Sequence, residues 1–590
     1  MLPGWRHAAA AVAATSALAV GCAAIGGSSA VAAAPGFVSG QVVVKSYDGA
    51  TDDLLTAGLG AAGLAGTAPA VTDPGDPAQL RRLAIYNNYR ALVDVSPGGG
   101  YGTLYGPGVG GPEKVAGKEY LALARDRDGQ NVTLLVQIPA AFDVAKPCVV
   151  TGPSSGSRGI YGAIGTSGEW GLKKGCAVAY TDKGTGIGAH DLADDVVTRL
   201  DGVRGPESSI GRRSNFTAPV SDAQRINFNA QYPNRYAFEH AHSERNPERD
   251  WDNHVLRSLD FALWALNEEF PFRPRDPSGP RPTRPRFTFD NTLVIGSSVS
   301  NGGGASLRAA EKARRGVIDG VAVSEPNVNP RLDGRIAIVQ GADAPFRRHS
   351  RPLFDYITLY NLFQGCASAA HPLAANTCQS LQQAGLLTGA TFAEQTAEAQ
   401  RKINDDGILE EQNHAAQTYW ATSVYQSVSV TYANAYARAS VLDNLCGYSF
   451  AATSATAPFG PVPLPDATDA LLFSVANGIP PTAGIQLVNN LSVGGPARND
   501  MSTSPTFNRQ DQNVSGALCL RALATGYARG DGPTTQRALY REIRESIGQI
   551  RADGRLGGIP TVIVHGRSDA LLPPNHTSRP YYALSLKADG

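Results

Sequence analysis

The sequence lacks an excess of charge of either sign. Its 590 residues contain 52 Lys and Arg and 52 Asp and Glu, so the formal net charge is zero. A chain without a basic field has no general attraction for nucleic acid or for an anionic membrane surface, and we expect neither as a partner. Hydrophobic residues make up 42% and charged residues 18%, a balance that can build a large core. The composition therefore predicts a globular protein.

Motifs for metal and phosphate binding are also missing. No CxxC pair and no histidine cluster has the ligand spacing of a zinc site, and no glycine-rich segment ends in the Gly-Lys-Ser/Thr of a P-loop. His240-Ala241-His242 comes nearest to a metal-binding pair. Because these residues lie in a polar stretch, we expect both histidines to be exposed at the surface. The sequence therefore predicts no metal site.

Cysteine is scarce, and its distribution fits an exported protein. Arg6 and His7 precede an apolar run at about residues 8–25, and small residues then continue to Ala34. This order is typical of a secretory signal, which we assign to residues 1–34, with a membrane anchor as the alternative. We therefore expect a secreted protein, extracellular or periplasmic, without stable membrane insertion. Six cysteines follow the signal and permit three disulfides whose pairing stays open: Cys148, Cys176, Cys366, Cys378, Cys446 and Cys519.

One stretch, residues 292–306, has the pattern of a strand, a sharp turn and a helix. Its apolar run stops at small residues, and an Ala-rich segment follows. This is the context of a nucleophile elbow, in which a serine occupies a strained turn and the residues two positions before and after it must be small. Ser300 meets this requirement with Ser298 before it and Gly302 after it. We predict Ser300 as the catalytic nucleophile; Ser298 in a shifted register and a glycine-rich turn without chemistry are the alternatives.

The residues before the elbow predict a mostly parallel sheet of the α/β-hydrolase kind. Residues 119–124 and 131–139 form an expected hairpin, and residues 148–152 and 176–182 are apolar runs separated by a helical pattern, as in a βαβ unit. Such folds place one oxyanion-hole amide in the small-residue loop after the first of these parallel strands, here within residues 154–157. We assign the oxyanion hole to the backbone amides of Ser155 and of Asn301, the residue after the nucleophile.

The pattern changes between residues 329 and 555, where long helical periodicities dominate, among them 391–409, 412–439 and 535–552. We predict a helical lid inserted into a hydrolase core, with an independent helical domain as the alternative. The predicted organisation is then a core formed by residues 35–328 and 556–590 around the lid at 329–555. Residues 185–235 are predicted to form a long polar loop region.

The end of the sequence offers an acidic residue but no clear base. Asp569 follows a strong strand pattern at residues 559–566, where an α/β-hydrolase places its acidic triad member. A serine nucleophile also needs a base, and the expected histidine follows one further strand. The chain stops at Gly590 before such a strand, so we expect the histidine beyond Gly590 and a C-terminally truncated sequence. His576 is the nearby alternative, and His565 is expected to pack or to support the site.

Two stretches resemble the D-(−)-3-hydroxybutyrate oligomer hydrolase family of exported bacterial esterases, and the resemblance covers most of the chain after the signal. They are Ser298-Val299-Ser300-Asn301-Gly302 and Val-His-Gly-Arg-Ser-Asp-Ala-Leu-Leu-Pro at residues 564–573. The resemblance implies hydrolysis of 3-hydroxybutyrate dimers and short oligomers to monomer through an acyl-enzyme on Ser300. It also implies a small ester oligomer as substrate and no metal or organic cofactor. We expect the protein to be a monomer.

Two other functions stay open at this point. One is a tannase or feruloyl esterase of similar build, but these typically carry a cysteine beside the nucleophile and none lies near Ser300. The other is a non-catalytic binding protein on a hydrolase scaffold. The missing histidine favours the binding protein, whereas the serine elbow and Asp569 argue against it. Covalent labelling by a fluorophosphonate would separate these classes, because only an activated serine reacts.

Overall fold

The computed structural model describes residues 33–96, 113–271, 285–526 and 534–589. The predicted signal at residues 1–34 lies outside the described residues apart from Ala33 and Ala34. Within the described ranges, no helix has the length and apolar character that crossing a membrane requires.

The main sheet contains eight strands: β1 Val38–Tyr47, β2 Gly117–Arg125, β3 Asn131–Pro139, β4 Cys148–Pro153, β5 Ala177–Thr181, β6 Leu293–Val299, β7 Gly320–Ser324 and β8 Thr561–Val564. They form one mixed sheet in the order β1-β2-β3-β5-β4-β6-β7-β8. The three pairs from β1 to β5 are antiparallel, and the four pairs from β5 to β8 are parallel. The predicted hairpin (β2 and β3), the predicted βαβ unit (β4 and β5) and the mostly parallel α/β sheet are thus confirmed.

Twelve labelled helices accompany the sheet in the described part of the chain. They are α1 Pro77–Arg90, α2 Asp222–Gln231, α3 Trp251–Glu269, α4 Asn301–Lys312, α5 Leu353–Ala367, α6 Ala374–Gln383, α7 Phe392–Asn404, α8 Asn413–Ala421, α9 Val424–Ala437, α10 Val514–Thr525, α11 Thr534–Gln549 and α12 Ser578–Asp589. Shorter helices lie at Gly60–Ala65, Glu169–Lys173, Glu207–Ile210, Glu239–His242 and Asp466–Asp469.

Helices cover both faces of the main sheet, so the central strands are buried on both sides. Successive side chains of a strand point to opposite faces, and on β3 Leu134 and Val136 join the cluster beneath α3 and α4. Leu135 joins the opposite cluster, which α1 covers. Strands buried on both faces appear in a sequence as continuous apolar runs, which is why β4 and β5 were predictable.

Residues 185–235 correct the prediction of a long polar loop. They contribute three strands of a small antiparallel sheet and the helix α2, whose N-terminus Ser221 caps with a capping box. The strands are Ala189–Asp191, Val196–Thr198, Arg204–Pro206 and, just beyond this range, Tyr236–Phe238. The prediction was wrong because three-residue strands are too short to show a period of two.

Residues 329–555 contain the helices α5 to α11 and also strands that the helical periodicity did not predict. The strands Tyr448–Thr453, Pro461–Val462, Ile485–Asn489 and Ala497–Arg498 form a four-stranded antiparallel sheet. The single helix expected at 412–439 is interrupted between α8 and α9 at Ser423, whose φ is 62°. Most of one large hydrophobic cluster belongs to this region, and Ala570 and Leu572 beside Asp569 pack into the same cluster. Residues 329–555, which lie between β7 and β8 in the chain and are called the insertion below, therefore share their core with the turn that carries Asp569.

Three disulfides join the six cysteines of the described chain: Cys148–Cys176, Cys366–Cys378 and Cys446–Cys519. The first links β4 to the start of β5, and the second links α5 to α6. The third connects residues separated by 73 positions and ties the segment after α9 to α10. All three Cα–Cα distances, between 4.7 and 5.7 Å, lie in the ordinary range of disulfides.

The two disulfides of the insertion should differ in their contribution to stability. A cross-link restricts the unfolded chain more when it closes a longer loop, so replacing Cys446 and Cys519 together by alanine should lower the free energy of unfolding by about 4 kcal/mol. The same change at Cys366 and Cys378, which are 12 positions apart, should lower it by about 3 kcal/mol. Urea unfolding of the two double variants measures both values. An equal or reversed order would contradict the loop-length argument.

Candidate active site

Ser300 lies at the turn between β6 and α4, where the sequence predicted the elbow. Its backbone has φ 58° and ψ −126°, a conformation that is strained for a residue with a β-carbon. Hydrogen bonds hold both of its peptide groups: its amide donates to the Ser324 carbonyl at 3.0 Å, and its carbonyl accepts from the Asn327 amide at 2.9 Å. The strand before the turn, the helix after it and these two contacts fix Ser300 at the carboxyl end of the parallel strands.

Ser298, the competing candidate, lies inside β6 rather than in the turn. Its side chain is buried, and its Oγ donates a hydrogen bond of 2.7 Å to the Pro153 carbonyl at the end of β4. A hydroxyl committed to a neighbouring strand in this way serves the packing of the sheet. The geometry favours the Ser300 register.

The glycines after Ser300 allow the helix to approach its neighbours closely. A β-carbon on Gly302 would lie 2.2 Å from the Pro153 carbonyl oxygen, and one on Gly304 would lie 2.0 Å from the Asn327 carbonyl oxygen. On Gly303 the nearest atom would be the Ser324 carbonyl oxygen at 3.2 Å. The elbow thus requires glycine at two of the three positions for steric reasons.

The predicted oxyanion loop, residues 154–157, begins directly beside the elbow, because β4 pairs with β6 and ends at Pro153. The amide of Ser154 is occupied by a β5 carbonyl at 2.9 Å, and the Ser155 amide is 3.4 Å from the Gly162 carbonyl. Among the described residues, the amide of Ser157 has no hydrogen-bond acceptor, and neither has that of Asn301 in the first turn of α4. The amide of Asn301 is therefore available to bind an oxyanion, as predicted, whereas the amide of Ser155 already makes a long hydrogen bond to the Gly162 carbonyl.

Asp569 lies in the turn after β8, at the same edge of the sheet as Ser300. Parallel pairing of β6, β7 and β8 aligns their carboxyl ends, and one oxygen of Asp569 accepts the amides of Leu571 and Leu572 at 2.9 Å each. The other oxygen lies 3.5 Å from His565 Nε2. The carboxylate is therefore firmly held, and within the described ranges one of its oxygens accepts no backbone amide.

The two histidines near Asp569 in the sequence have other partners. His565 Nε2 donates to the Leu572 carbonyl at 2.8 Å, so His565 supports the Asp569 turn. His576 is fully buried: its Nε2 is 2.7 Å from the Asp406 carbonyl, its Nδ1 is 3.4 Å from the Arg351 amide, and its ring stacks on Tyr356. Burial lowers the pKa of His576 to about 3. Within the described chain, no histidine is hydrogen-bonded to Ser300.

His240 and His242 correct the expectation of surface exposure. Both are buried in the short helix Glu239–His242, and burial lowers the pKa of each to about 3. His240 Nδ1 is 2.6 Å from the hydroxyl of Ser157 in the oxyanion loop, and no hydrogen-bond partner faces its buried Nε2 among the described residues. The prediction failed because the polar stretch is covered by the insertion: the ring of Tyr432 lies 4.9 Å from that of His240.

Helix α9 of the insertion contacts both the elbow and the Asp569 turn. Tyr425 donates to the Ala570 carbonyl at 2.8 Å, and the hydroxyl of Tyr432 accepts from Asn301 Nδ2 at 3.2 Å. Seven residues along a helix amount to two turns, or about 10 Å. One helix therefore sets the distance between the turn that carries Asp569 and the residue that follows Ser300.

The sequence pattern did not single out Tyr432, and it also missed Asn327. Asn327 Nδ2 donates to Asn301 Oδ1 at 2.8 Å and lies 3.4 Å from the Tyr432 hydroxyl. These residues are far apart in the chain and belong to no local motif. Only the position of Asn327 just after β7, at the carboxyl edge of the sheet, could have indicated it.

A buried acid, Glu248, lies below the same helix. The Tyr436 hydroxyl donates to Glu248 Oε2 at 2.6 Å, and Glu248 itself is 1% exposed. Burial raises the pKa of Glu248 from 4.5 to about 7, although its hydrogen bond with Tyr436 opposes the shift. The carboxyl group is therefore protonated in mildly acidic solution in the folded protein.

Replacing Glu248 by glutamine should make stability less sensitive to pH. The raised pKa means that Glu248 stabilises the fold fully below about pH 4.5 and that this contribution is lost as the pH rises to about 7. The difference in free energy of unfolding, wild type minus E248Q, should therefore fall by up to about 3 kcal/mol between pH 5 and pH 8. Chemical unfolding at several pH values measures it. A difference independent of pH would show that Glu248 is ionised throughout.

Sequence comparison supplies the family. The model of the family described as 3HB-oligomer hydrolase (3HBOH) matches residues 18–590. The D-(−)-3-hydroxybutyrate oligomer hydrolase of Polaromonas naphthalenivorans is 48% identical over 575 residues, covering 93% of this chain and 79% of that protein. The enzyme of the same name from Albidiferax ferrireducens is 47% identical, with coverage of 96% and 82%. That from Cupriavidus metallidurans is 46% identical, with coverage of 94% and 78%.

Two of the solved structures that are similar to this chain are esterases of low sequence identity. Feruloyl esterase B from Aspergillus oryzae covers 82% of this chain and 71% of its own at 9% identity, with a TM-score of 0.33. An esterase from the same organism covers 80% and 68% at 10% identity, with a TM-score of 0.29. Likenesses this remote carry no conclusion about the fold or the site. On the match along nearly its whole length, the chain belongs to the 3HB-oligomer hydrolase family.

Proposed function

We propose that this protein hydrolyses dimers and short oligomers of D-3-hydroxybutyrate to the monomer. The observation that carries the proposal is the strained Ser300 between β6 and α4, followed by an Asn301 amide without an acceptor in the described structure. Relatives with 46 to 48% identity are named D-(−)-3-hydroxybutyrate oligomer hydrolases. A strand-to-helix serine turn at the carboxyl edge of a mostly parallel sheet, with the acid later in the chain, supports an α/β-hydrolase fold.

The proposed mechanism is acyl transfer in two steps. Ser300 Oγ attacks the ester carbonyl, its proton passes to a histidine base, and the carbon–oxygen bond of the ester breaks as the alcohol leaves with that proton. A hydroxybutyryl ester then remains on Ser300. Water attacks this ester, gives up a proton to the same base and releases the free acid. Asp569, held by two backbone amides, is the proposed carboxylate that orients the base.

The tetrahedral intermediates carry negative charge on the former carbonyl oxygen. We propose that the backbone amides of Asn301 and of Ser155 in the oxyanion loop stabilise it, since donors aimed at this charge are worth most where water is excluded. The Asn301 amide also lies at the N-terminus of α4, where unpaired amides give a partial positive charge. No step of this reaction requires a metal or an organic cofactor.

The insertion at residues 329–555 is proposed to act as a lid. Helix α9 contacts the elbow through Tyr432 and the Asp569 turn through Tyr425, so it lies beside the reacting groups. A short ester oligomer would therefore reach Ser300 along surfaces that the insertion provides. We also propose export of the protein, because three disulfides suit an oxidising compartment. We propose that it acts as a monomer.

Product analysis tests the proposed function. The protein, expressed from its complete coding sequence, is incubated with the dimer and trimer of D-3-hydroxybutyrate, and the monomer is measured by chromatography. We expect monomer release, with much slower hydrolysis of a methyl ferulate control. Hydrolysis of the ferulate with no release of 3-hydroxybutyrate would favour a feruloyl-type esterase. A protein that cleaves neither ester and does not react with a fluorophosphonate would favour the binding protein.

A further inference from the structure

A buried lysine lies behind the oxyanion loop. Lys183 follows β5, and its residue exposure is 0%. Its ammonium nitrogen lies 2.5 Å from both the carbonyl oxygen and the hydroxyl of Ser154, and 3.3 Å from the Gly156 carbonyl. One side chain therefore binds two carbonyl groups of residues 154–157.

The contacts of Lys183 determine how the peptide groups of the loop are oriented. In a trans peptide, the carbonyl and the following amide point in opposite directions. Binding of the Ser154 and Gly156 carbonyls by Lys183 therefore turns the amides of Ser155 and Ser157 away from the lysine. The Ser157 amide has no acceptor in the described structure, and the loop begins against the elbow at Pro153.

The backbone of Lys183 indicates that the side chain itself is required. Its φ is 64°, in the left-handed region that glycine or asparagine occupies at lower cost. The next residue, Gly184, has φ 69°. A lysine kept in such a turn, with its charge taken fully out of water, is unfavourable unless its contacts are needed.

Other charges near Lys183 stabilise it without competing for the loop. Burial lowers the pKa of Lys183 to about 7, and the nearby Asp182, Glu239 and Glu248 oppose this shift. The oxygens within 3.5 Å of the ammonium nitrogen come from the loop and from the Asp182 carbonyl. The lysine is thus directed at the loop rather than at a carboxylate.

We propose that Lys183 is a positioning residue that fixes residues 154–157 so that the amides of Ser155 and Ser157 face the developing oxyanion at Ser300. This inference rests on the proposed acyl transfer. It extends that proposal by naming the side chain that holds the backbone of the oxyanion loop in place. It places no proton transfer on Lys183. Loss of the ammonium group should therefore affect the stabilisation of the tetrahedral state and leave ground-state binding of the ester largely intact.

The test compares Lys183→Met, Lys183→Gln and a control, Lys173→Met. Lys173 has a side chain that is 2% exposed and pairs with Glu169 at 2.8 Å at the other end of the same βαβ unit. With p-nitrophenyl butyrate, K183M should lose about 10²-fold in kcat while KM changes less than about three-fold. The kcat of K183Q should fall less than that of K183M, because the glutamine amide keeps two hydrogen-bond donors. The control should keep the wild-type kcat.

A tetrahedral adduct provides the second readout. The affinity of K183M for butaneboronic acid, which forms such an adduct on the serine, should fall by about the same 10² factor. Inhibition by the product 3-hydroxybutyrate should change little. The inference would be overturned if K183M kept the wild-type kcat. It would also be overturned if kcat, boronate affinity, product affinity and the thermal midpoint all fell together. If K183M does not fold, the same criteria are applied to K183Q. Wild-type cleavage of p-nitrophenyl butyrate without cleavage of 3-hydroxybutyrate oligomers would reject the proposed substrate and leave the Lys183 comparison intact.

Discussion

Replacing Ser300 by alanine should lower the hydrolysis of 3-hydroxybutyrate dimer by roughly 10⁴- to 10⁶-fold, because the acyl-enzyme can no longer form. Folding should be unaffected, since the Ser300 side chain makes no hydrogen bond within the described structure and alanine tolerates the turn as well as serine does. Monomer release and covalent labelling by a fluorophosphonate should disappear together. The measurement is kcat/KM for the dimer, with mass spectrometry of the labelled protein.

Ser298→Ala is the matched control for this prediction. It also removes a serine hydroxyl from the elbow strand, but one that donates to the Pro153 carbonyl. Losing that hydrogen bond should cost about 1 kcal/mol of stability and leave labelling at Ser300 intact. An S298A protein without labelling, beside an S300A protein that still reacts, would reverse the assignment and make Ser298 the nucleophile.

Replacing Gly304 by alanine (G304A), which adds one methyl group, should lower the free energy of unfolding by about 3 kcal/mol or more. The new β-carbon would lie 2.0 Å from the Asn327 carbonyl oxygen, which is backbone and cannot rotate away. The amide of the same Asn327 donates to the Ser300 carbonyl, so any shift of this segment also disturbs the nucleophile turn. We therefore expect lower stability and lower kcat together, measured by thermal unfolding and by dimer hydrolysis.

Gly303→Ala is the internal control in the same turn of α4. Its β-carbon would meet the nearest atom at 3.2 Å, a contact that a shift of a few tenths of an ångström relieves. Alanine also has the better helix propensity, by up to about 1 kcal/mol. G303A should therefore stay within about 1 kcal/mol of wild type. Equal losses in G303A and G304A would mean that helix α4 does not approach β7 as closely as described.

The local sequence was sufficient to predict the elements that carry Ser300 and Asp569. Strands buried on both faces appear as uninterrupted apolar runs, and a nucleophile elbow leaves a fixed order of strand, small residues and helix. These signals depend on neighbours within a few positions of Ser300. The choice between Ser298 and Ser300 could be argued from residue size alone, and the backbone at Ser300 agrees with that argument.

Other features depended on contacts between distant parts of the chain. The exposure expected for His240 and His242 was wrong because helix α9, nearly two hundred residues later, covers them. The roles of Tyr432 and Lys183 are likewise defined by partners on other elements. A hydrogen bond between remote segments leaves no periodicity in the sequence.

The sequence by itself was sufficient to predict the mostly parallel α/β sheet and the two turns in which Ser300 and Asp569 lie, because each follows from local patterning and from chain order. The tertiary structure alone decided the disulfide pairing, the burial of the polar stretch around His240 and the orientation of residues 154–157. Those properties are set when the insertion packs on the core and when Lys183 is enclosed behind residues 154–157. Burial and hydrogen-bond partners are properties of the packed chain, and composition or spacing does not encode them locally.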